Sequence, residues 1–263
     1  LSGATDQNVT VVLGTSGTAT EGTDYTDGSG AVDDITITAG STTGTVSFTP
    51  TDDSIYEGNE TATIAISSVT GEASESGTQA VTITITENES APTVTLAVSA
   101  TTIAENAGSS LTLTATLSGA TDEDVTVALG TSGSATEGTD YTDGSGNVDD
   151  ITISAGSTTG TVSFTPTDDS VYEGDEAAVV AIDTVSGGGA SENGTQTVTV
   201  TISENESAPT VTLATSATSI AENAGSSLTL TATLSNVADE DVTVALSTSG
   251  AATEGTCLLY TSP

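Results

Sequence analysis

The sequence predicts an all-β protein made of antiparallel β-sandwiches. Apolar residues alternate with threonine along most of the chain, which is typical of strands with one buried and one solvent-facing side. Threonine, valine and isoleucine are frequent, and these residues suit a pleated, half-buried surface. No stretch combines helical periodicity with capping residues. With 34% hydrophobic residues and a mean hydropathy of +0.04, the composition is that of a chain that folds.

The alternation is clearest in residues 91–207, where it forms seven runs. They are residues 94–98, 111–117, 125–129, 151–153, 162–164, 180–182 and 198–202. Glycine-rich turn sequences at residues 143–146, 155–160 and 187–189 separate some of these runs. About seven strands in a stretch of this length are typical of an antiparallel sandwich.

Long internal repeats set the domain organisation. Glu21, Glu137 and Glu254 occupy the same place in three ATEGT segments, which lie 116 and then 117 residues apart. A period above 100 residues is the size of a whole domain, so the repeats are tandem domains. We divide the chain into a repeat lacking its first strands (1–90), a complete repeat (91–207) and a truncated repeat (208–256). A chain that opens in mid-repeat is expected to be a fragment of a longer protein.

The last seven residues, 257–263, read CLLYTSP and break the repeat pattern. They contain the only cysteine of the chain, and they resemble the translation of an adapter sequence used in library preparation. We therefore interpret this segment as an adapter-derived tail and leave it out of the fold prediction. Without that cysteine, the sequence gives no information about the redox compartment.

The charge of the chain is entirely one-sided. It carries 37 acidic residues and no lysine, arginine or histidine, which gives a formal net charge of −37. This excludes nucleic-acid binding and attraction to anionic membranes, both of which need basic residues. It also excludes imidazole-based catalysis and Schiff-base chemistry. Two kinds of chemistry remain, a paired-carboxylate enzyme and oxygen ligation of a hard cation.

The acids of the complete repeat are concentrated in one loop, residues 168–176, which carries five carboxylates among nine residues. Two carboxylates about 4 Å apart repel by roughly 4 kcal/mol at an effective dielectric near 20. No basic side chain can relieve this repulsion, so the neutralising charge has to come from solution. A Ca²⁺ site fits better than Mg²⁺, which demands stricter geometry. The alternative is a solvated acidic loop that serves solubility.

Four segments together resemble the Calx-beta domain, which occurs in sodium/calcium exchangers, integrin β4 and long bacterial surface proteins. They are IAENAGSS, ATEGTDY, DDITISAGSTTGTVSFTP and above all TDDSVYEGDE. The resemblance covers the complete repeat and, in fragments, residues 1–256. It implies tandem immunoglobulin-like antiparallel β-sandwiches, about seven strands per complete repeat, that bind Ca²⁺ in loops at one end.

The resemblance also implies calcium ligands. In the complete repeat they are Glu105, Asp140, Asp168, Asp169, the backbone carbonyl of Val171, Glu173 and Glu176. Where the family often ends in consecutive aspartates, this chain has Glu204 and Glu206, a departure consistent with fewer ions or weaker binding. The matching set in repeat one is Asp24, Asp52, Asp53, Ile55, Glu57 and Glu60. Repeat three offers only Glu222, and Glu87 and Glu89 lie at a junction where an ion shared between repeats would stiffen the array.

Other acidic and aromatic residues have simpler interpretations. Asp143, Asp149 and Asp150 flank a glycine-rich turn and are expected to shape it. Residues 122–124 lose charge in repeat one, which indicates an exposed turn. Tyr141 and Tyr172 are expected to pack in the core or at its rim. Glu137 is left open between a peripheral ligand and a loop residue.

The preferred functional prediction is a calcium-binding tandem module that acts as a stalk in adhesion. It would belong to a large cell-surface or secreted protein and would be extracellular, with calcium ions and adjacent repeats as its partners. A regulatory calcium-sensor domain of a membrane protein and an acidic spacer without specific ion binding remain alternatives. An enzyme is disfavoured, because glycosidases usually need aromatic platforms and only 3% of the residues are aromatic. The sequence does not predict the adhesion partner.

Overall fold

The computed structural model describes residues 1–252. Glu254, the end of the truncated repeat and residues 257–263, which we interpret as adapter-derived, lie outside this range. The described part of the chain is all-β, in agreement with the sequence prediction. It contains no helix, and therefore none long and apolar enough to cross a membrane.

The complete repeat is built from twelve strands. They are β8 (Thr93–Val98), β9 (Thr102–Ala104), β10 (Leu111–Leu117), β11 (Ala120–Thr121), β12 (Val125–Gly133), β13 (Tyr141–Thr142), β14 (Ile151–Ile153), β15 (Thr159–Pro166), β16 (Val171–Tyr172), β17 (Glu176–Ser186), β18 (Ser191–Glu192) and β19 (Thr197–Ser203). All seven predicted runs lie in strands. The five further strands have two or three residues each, too few for alternation to reveal them.

Two five-stranded sheets form the sandwich of the complete repeat. One has the order β14-β12-β17-β19-β9, and the other has the order β13-β15-β10-β8-β18. Alternate side chains of both sheets meet in a single core, in which Leu113, Phe164 and Val180 are fully buried. Tyr141 stacks on Phe164 with ring centroids 4.6 Å apart, which confirms that it packs in the core.

Repeat one has one sheet like that of the complete repeat and only a remnant of the other. Its strands are β1 (Val9–Gly17), β2 (Tyr25–Thr26), β3 (Ile35–Ile37), β4 (Thr49–Pro50), β5 (Ile55–Tyr56), β6 (Glu60–Thr70) and β7 (Ala80–Ile85). The order β3-β1-β6-β7 reproduces the first sheet, whereas the second is reduced to the pair β2-β4. In the described residues, nothing occupies the place that β8 and β10 take in the complete repeat.

One octapeptide, present in both repeats, shows how the absence of this pairing changes the strand structure. TGTVSFTP occurs at residues 43–50 and again at residues 159–166. In the complete repeat it forms all of β15, because β10 pairs with it from Leu111 to Thr116. In repeat one only Thr49–Pro50 is a strand. The same residues thus differ in structure because one copy has a partner strand.

Repeat three contributes three strands to the described chain, β20 (Val211–Thr215), β21 (Leu230–Leu234) and β22 (Val237–Ala238). β20 and β21 pair in the register that β8 and β10 have in the complete repeat. Most of their apolar side chains are exposed, because the described residues provide no facing sheet.

Consecutive repeats are joined by short parallel bridges. β5 of repeat one pairs with β11, and β16 pairs with β22 in the same way at the next junction. The amide of Asp122 donates to the carbonyl of Tyr56 over 3.4 Å, and Asp239 donates to Tyr172 over 3.1 Å. The side chains of residues 122–124 are exposed as expected, but the backbone of this turn holds two repeats together.

A glycine loop completes the first junction. Gly188 and Gly189 have φ of +50° and +60°, in the left-handed region that favours glycine. A Cβ at Gly189 would lie 2.5 Å from Cε1 of Tyr56, and one at Gly188 would lie 2.5 Å from Oγ1 of Thr121. The loop can therefore lie against the junction only because these positions have no side chain.

The two TGTVSF copies make a prediction about local stability. Amides of residues 43–48 should exchange with solvent at least about tenfold faster than those of residues 159–164, because only the second copy has a full ladder. NMR hydrogen exchange on dilute protein measures this, and the identical sequences give nearly identical intrinsic rates. Equal protection of the two segments would contradict the described difference in pairing.

Candidate metal centre

Carboxylates converge in three groups of three, which we name after one member. The Asp24 triad contains Asp24, Glu57 and Glu60; the Asp140 triad contains Asp140, Glu173 and Glu176; the Glu105 triad contains Glu105, Glu204 and Glu206. In each triad, one oxygen from every side chain lies within 4.8 Å of the other two. At such separations carboxylates repel strongly unless a cation or protons neutralise them.

The Asp140 triad is assembled by a tight turn and the start of a strand. The amide of Asp140 donates to the carbonyl of Thr136 over 2.9 Å, and the amide of Thr136 donates to Oδ2 of Asp140 over 2.6 Å. Glu176 begins β17, and Glu173 precedes it in the loop after β16. Repeat one builds its triad alike, with Thr20 donating to Oδ2 of Asp24 over 2.5 Å.

The Glu105 triad lies where β9 runs parallel to β19. The amide of Glu105 donates to the carbonyl of Ser203 over 3.0 Å, which brings Glu105 beside Glu204. Glu105 is only 6% exposed, although its charged form favours water. Asp169 reaches into this triad through its backbone, whose amide donates to Oε1 of Glu105 over 3.2 Å.

Glu204 ties two loops together. Its Oε2 accepts from the amides of Glu173 and Gly174 over 2.6 and 2.8 Å, and its Oε1 accepts from those of Asn205 and Glu206, each over 2.8 Å. Gly174 takes a left-handed φ of +80° in this turn. Burial works against the charge of Glu204, but the backbone donors outweigh it and lower the pKa of Glu204 to about 2. Glu87 has the same arrangement and the same pKa in repeat one.

Two glutamates in each triad have a raised pKa, and for one of the two it rises to about 7. Burial, followed by the charges of nearby acids, raises the pKa of Glu105 to about 7. Burial and then Asp140 raise the pKa of Glu176 to about 7, and burial and then Asp24 do the same for Glu60. The triads therefore resist holding their full negative charge when no cation is present.

The donor set fits a hard cation. All nine side chains offer carboxylate oxygens, which are the ligands that calcium prefers. Oε2 of Glu206 is buried and has no hydrogen-bond partner, an arrangement that a bound cation would satisfy. What these groups can do chemically is bind an ion and couple the loops that carry them.

The structure brings together nine of the predicted ligands and leaves the paired aspartates outside the triads. The exposed Asp53 and Asp169 accept from the amides of Ile55 and Val171 over 2.7 and 2.6 Å. These side chains therefore shape their own turns. Ile55 and Val171, predicted as carbonyl ligands, lie in the strands β5 and β16 that pair with the following repeat.

The other acids that the sequence predicted as ligands lie outside the triads. Oδ1 of Asp52 accepts from Nδ2 of Asn88 over 3.1 Å. Asp168 lies close enough to Glu206 for its charge to help raise the pKa of that residue, after the larger effects of Glu204 and burial. Glu222 is exposed and belongs to no triad in the described chain.

The structure also shows the roles of Glu137, which the sequence leaves open, and of Asp143, which the sequence predicts to shape a turn. Glu137 accepts from the amide of Val148 over 2.7 Å and from Oγ1 of Thr131 over 2.9 Å, so each of its oxygens is engaged within the fold. Asp143 accepts from the amides of Ser145 and Gly146, which confirms it as a turn former.

Sequence reasoning missed the acids of the next repeat that approach the Asp24 triad and the Asp140 triad. After burial and the charge of nearer acids, the charge of Asp122 helps raise the pKa values of Glu57 and Glu60, and that of Asp239 does so for Glu173 and Glu176. A signal was present in the sequence. Aspartate occupies this position in all three repeats, beginning with Asp6, whereas the two residues after it are uncharged in repeat one.

Comparison with known proteins gives the family. The sequence profile of the Calx-beta domain matches residues 1–89 and again residues 87–206. A search of the curated proteins finds no match.

Three solved structures are similar to parts of the chain. The apo-form Calx CBD1 domain is 21% identical and covers 43% of this chain and 98% of its own, with a TM-score of 0.35. The CBD12 structure of CALX1.2 is 16% identical, covering 77% of this chain and 90% of its own, with a TM-score of 0.34. The calcium binding domain CBD12 of CALX1.1 is 15% identical, covering 68% and 69%, with a TM-score of 0.28.

The two profile matches together span most of the chain, and each includes its own set of converging acids. The chain therefore belongs to the Calx-beta domain family, and it carries these calcium-binding domains in tandem.

Proposed function

We propose that this chain is a calcium-binding tandem module, without catalytic activity, that serves as a stalk in adhesion. The observation that carries the proposal is the convergence of carboxylate oxygens within 4.8 Å of one another in a chain without lysine, arginine or histidine. A dissolved divalent cation is then the natural source of neutralising charge. Calcium is favoured because it accepts oxygen ligands in flexible geometry.

Calcium would act through linkage to folding. An ion that binds only the folded form stabilises that form by about 2.7 kcal/mol when its concentration is 100 times the Kd. Extracellular calcium modules typically bind at roughly 0.1–1 mM. We accordingly propose an extracellular or cell-surface location, where calcium is abundant. Near-identical repeats also suit a spacer better than a set of independent active sites.

The positions of the acids support the stalk role. The Asp24 and Asp140 triads are beside the parallel bridges between repeats, and Asp122 and Asp239 add negative charge from the following repeat. Without an ion, these charges push consecutive repeats apart. With an ion, the same groups would hold the junction in one orientation, as a rod under mechanical tension requires. A calcium sensor in a membrane protein would bind the ion in the same way, but it would need no long array of repeats.

Single neutral substitutions should separate calcium binding from folding. In Glu105→Gln and Glu176→Gln, the melting temperature in EDTA should rise, because a costly charge is lost, while calcium affinity should fall about tenfold or more. Calorimetry with EDTA and with excess calcium measures both effects. Excess calcium should raise the unmodified protein's melting temperature by roughly 10 °C.

The matched control is Asp183→Asn, which removes one charge from an exposed acid outside the triads. It should leave the calcium response unchanged. If EDTA has no effect on the unmodified protein, the chain is an acidic spacer without a specific ion site.

Protons should compete with calcium for the carboxylates of the triads. A glutamate whose pKa is about 7 in the folded state and about 4.5 when unfolded holds more protons in the folded state between those values. Stability in EDTA should therefore decrease from pH 5 to pH 7.5, and the stabilisation by calcium should grow over the same range. Glu204 and Glu87, with pKa values of about 2, lose their contribution only below about pH 4.5. A metal-free melting temperature that rises from pH 5 to pH 7.5 would argue against this electrostatic picture.

Small-angle scattering on dilute protein distinguishes a stalk from a compact sensor. Adding calcium should lengthen the particle and narrow its range of shapes, because the junction between repeats stiffens. Asp122→Asn should weaken this response. Asp6→Asn changes the same position of repeat one and should leave the response unchanged, because no triad of a preceding repeat is described beside Asp6. A compact particle that ignores calcium would speak against the stalk.

A further inference from the structure

Five asparagines stand in the pattern Asn-x-Ser/Thr, where x is not proline, which is the acceptor motif for N-linked glycans. They are Asn8, Asn59, Asn88, Asn193 and Asn205, and all five are exposed. A chain so rich in threonine contains this pattern by chance as well. The surroundings of each asparagine therefore decide which of them can act as an acceptor.

Two of the five already use the nitrogen that would carry a glycan. Nδ2 of Asn88 donates to Oδ1 of Asp52 over 3.1 Å. Nδ2 of Asn205 donates to Oε1 of Glu206 over 3.0 Å. Both asparagines lie at the acidic end of their repeats, where their amides contribute to the arrangement of the carboxylates.

Two others are held in the sheets. Oδ1 of Asn8 and Oδ1 of Asn59 each accept from a backbone amide over 2.9 Å. Thr10 and Thr61, the hydroxyl residues of their motifs, lie within the strands β1 and β6. An enzyme that reads the motif has to contact both the asparagine and the hydroxyl residue. At these two positions the strand would first have to open locally.

Asn193 differs from the other four. Residues 193–196 form the loop between β18 and β19, and Asn193, Gly194 and Thr195 are all exposed. The backbone of the loop is fixed, because the amide of Asn193 donates to the carbonyl of Val94 over 2.9 Å and Nε2 of Gln196 donates to the carbonyl of Asn193. In the described chain, the side chain of Asn193 makes no hydrogen bond.

Repeat one shows that this side chain is not needed to form the loop. Ser76 occupies the matching position, in ESGTQ where the complete repeat has ENGTQ. In both loops the amide of the glutamine donates to Oε1 of the glutamate, and its Nε2 donates to the carbonyl of the residue at the asparagine position. The loop closes in the same way with serine, so the amide of Asn193 is free for another role.

The loop also lies away from the acids. β17 begins at Glu176 and β19 is followed by Glu204, whereas the loop of Asn193 is at the other end of these two strands. The seven residues of β19 separate Asn193 from the Glu105 triad by roughly 20 Å. A glycan at Asn193 would therefore leave the carboxylates accessible.

We propose that Asn193 is an acceptor for N-linked glycosylation. The donor is an oligosaccharide activated as a lipid pyrophosphate, and Nδ2 of Asn193 attacks its anomeric carbon. The new C–N bond replaces the C–O bond to the pyrophosphate, which leaves with the bonding electron pair, while Nδ2 loses one proton. Thr195 supplies the hydroxyl that the transferase recognises. The proposal rests on the extracellular location proposed above, but not on calcium binding.

The test is glycosylation of the folded 263-residue chain by a single-subunit oligosaccharyltransferase that accepts this motif, supplied with its lipid-linked donor. Mass spectrometry of peptides cut after glutamate measures the rate at each asparagine, and synthetic peptides of the five motifs give the rates without a fold. Relative to its peptide, Asn193 should react at least about tenfold faster than Asn8 or Asn59, whose strands have to open. No modification of Asn193 in the folded chain overturns the proposal.

Repeat one supplies the matched substitutions. Asn193→Ser gives the complete repeat the loop of repeat one, so it should abolish modification of the loop without lowering the melting temperature. Ser76→Asn makes the reverse change and should create a new acceptor in repeat one. Thr195→Ala keeps the asparagine but should also abolish modification, because the hydroxyl is lost. Modification of the loop that survives Thr195→Ala, or a Ser76→Asn variant that stays unmodified at residue 76, contradicts the proposal.

Calcium titration keeps this proposal separate from the proposed function. The glycosylated protein should show the same calcium-dependent rise in melting temperature as the unmodified protein, because the glycan is distant from the triads. If calcium has no effect on either protein while Asn193 is modified, the proposed function fails and the acceptor site stands. If calcium stabilises the protein but Asn193 is not modified, only the acceptor site fails.

Discussion

The fold has to hold many carboxylates close together without a single basic side chain. Hydrogen bonds from backbone amides hold several of these carboxylates in place. Glu204 and Glu87 each accept four amide hydrogen bonds, and Asp24 and Asp140 are held by the turns that contain them. Amides partly neutralise a carboxylate and also fix its position. They cannot neutralise a whole triad, which explains why one glutamate of each triad has a pKa of about 7. A cation site arises at the places where local donors are insufficient.

The same division between local and long-range forces appears in the sheets. The alternating pattern specifies which face of a strand is apolar, and all seven predicted runs of the complete repeat are strands. Whether a run becomes part of a ladder depends on a partner far away in sequence. TGTVSFTP forms an eight-residue strand beside β10 and a two-residue strand without it. Pattern and partner together make the sandwich.

Much of the candidate site could be predicted from the sequence, but not its exact membership. The loop from Asp168 to Glu176 was identified by its density of acids, and the resemblance to the family added Glu105 and Asp140. Composition could not distinguish Asp169, whose side chain bonds its own turn, from Glu173, whose side chain faces the triad. That difference depends on side-chain direction within the turn. The approach of Asp122 could not be predicted either, because it depends on how one repeat meets the next.

The glycine loop at the first junction makes the order of the repeats significant. Gly188 and Gly189 leave room for Thr121 and Tyr56, whereas the corresponding loop of repeat one is one residue shorter and carries Glu72. A repeat with that shorter loop would meet a preceding neighbour through a different surface. Near-identical units in this array are therefore not interchangeable parts. The glycine loop, at the opposite end of β17 from the acids, sets how closely a preceding unit can approach.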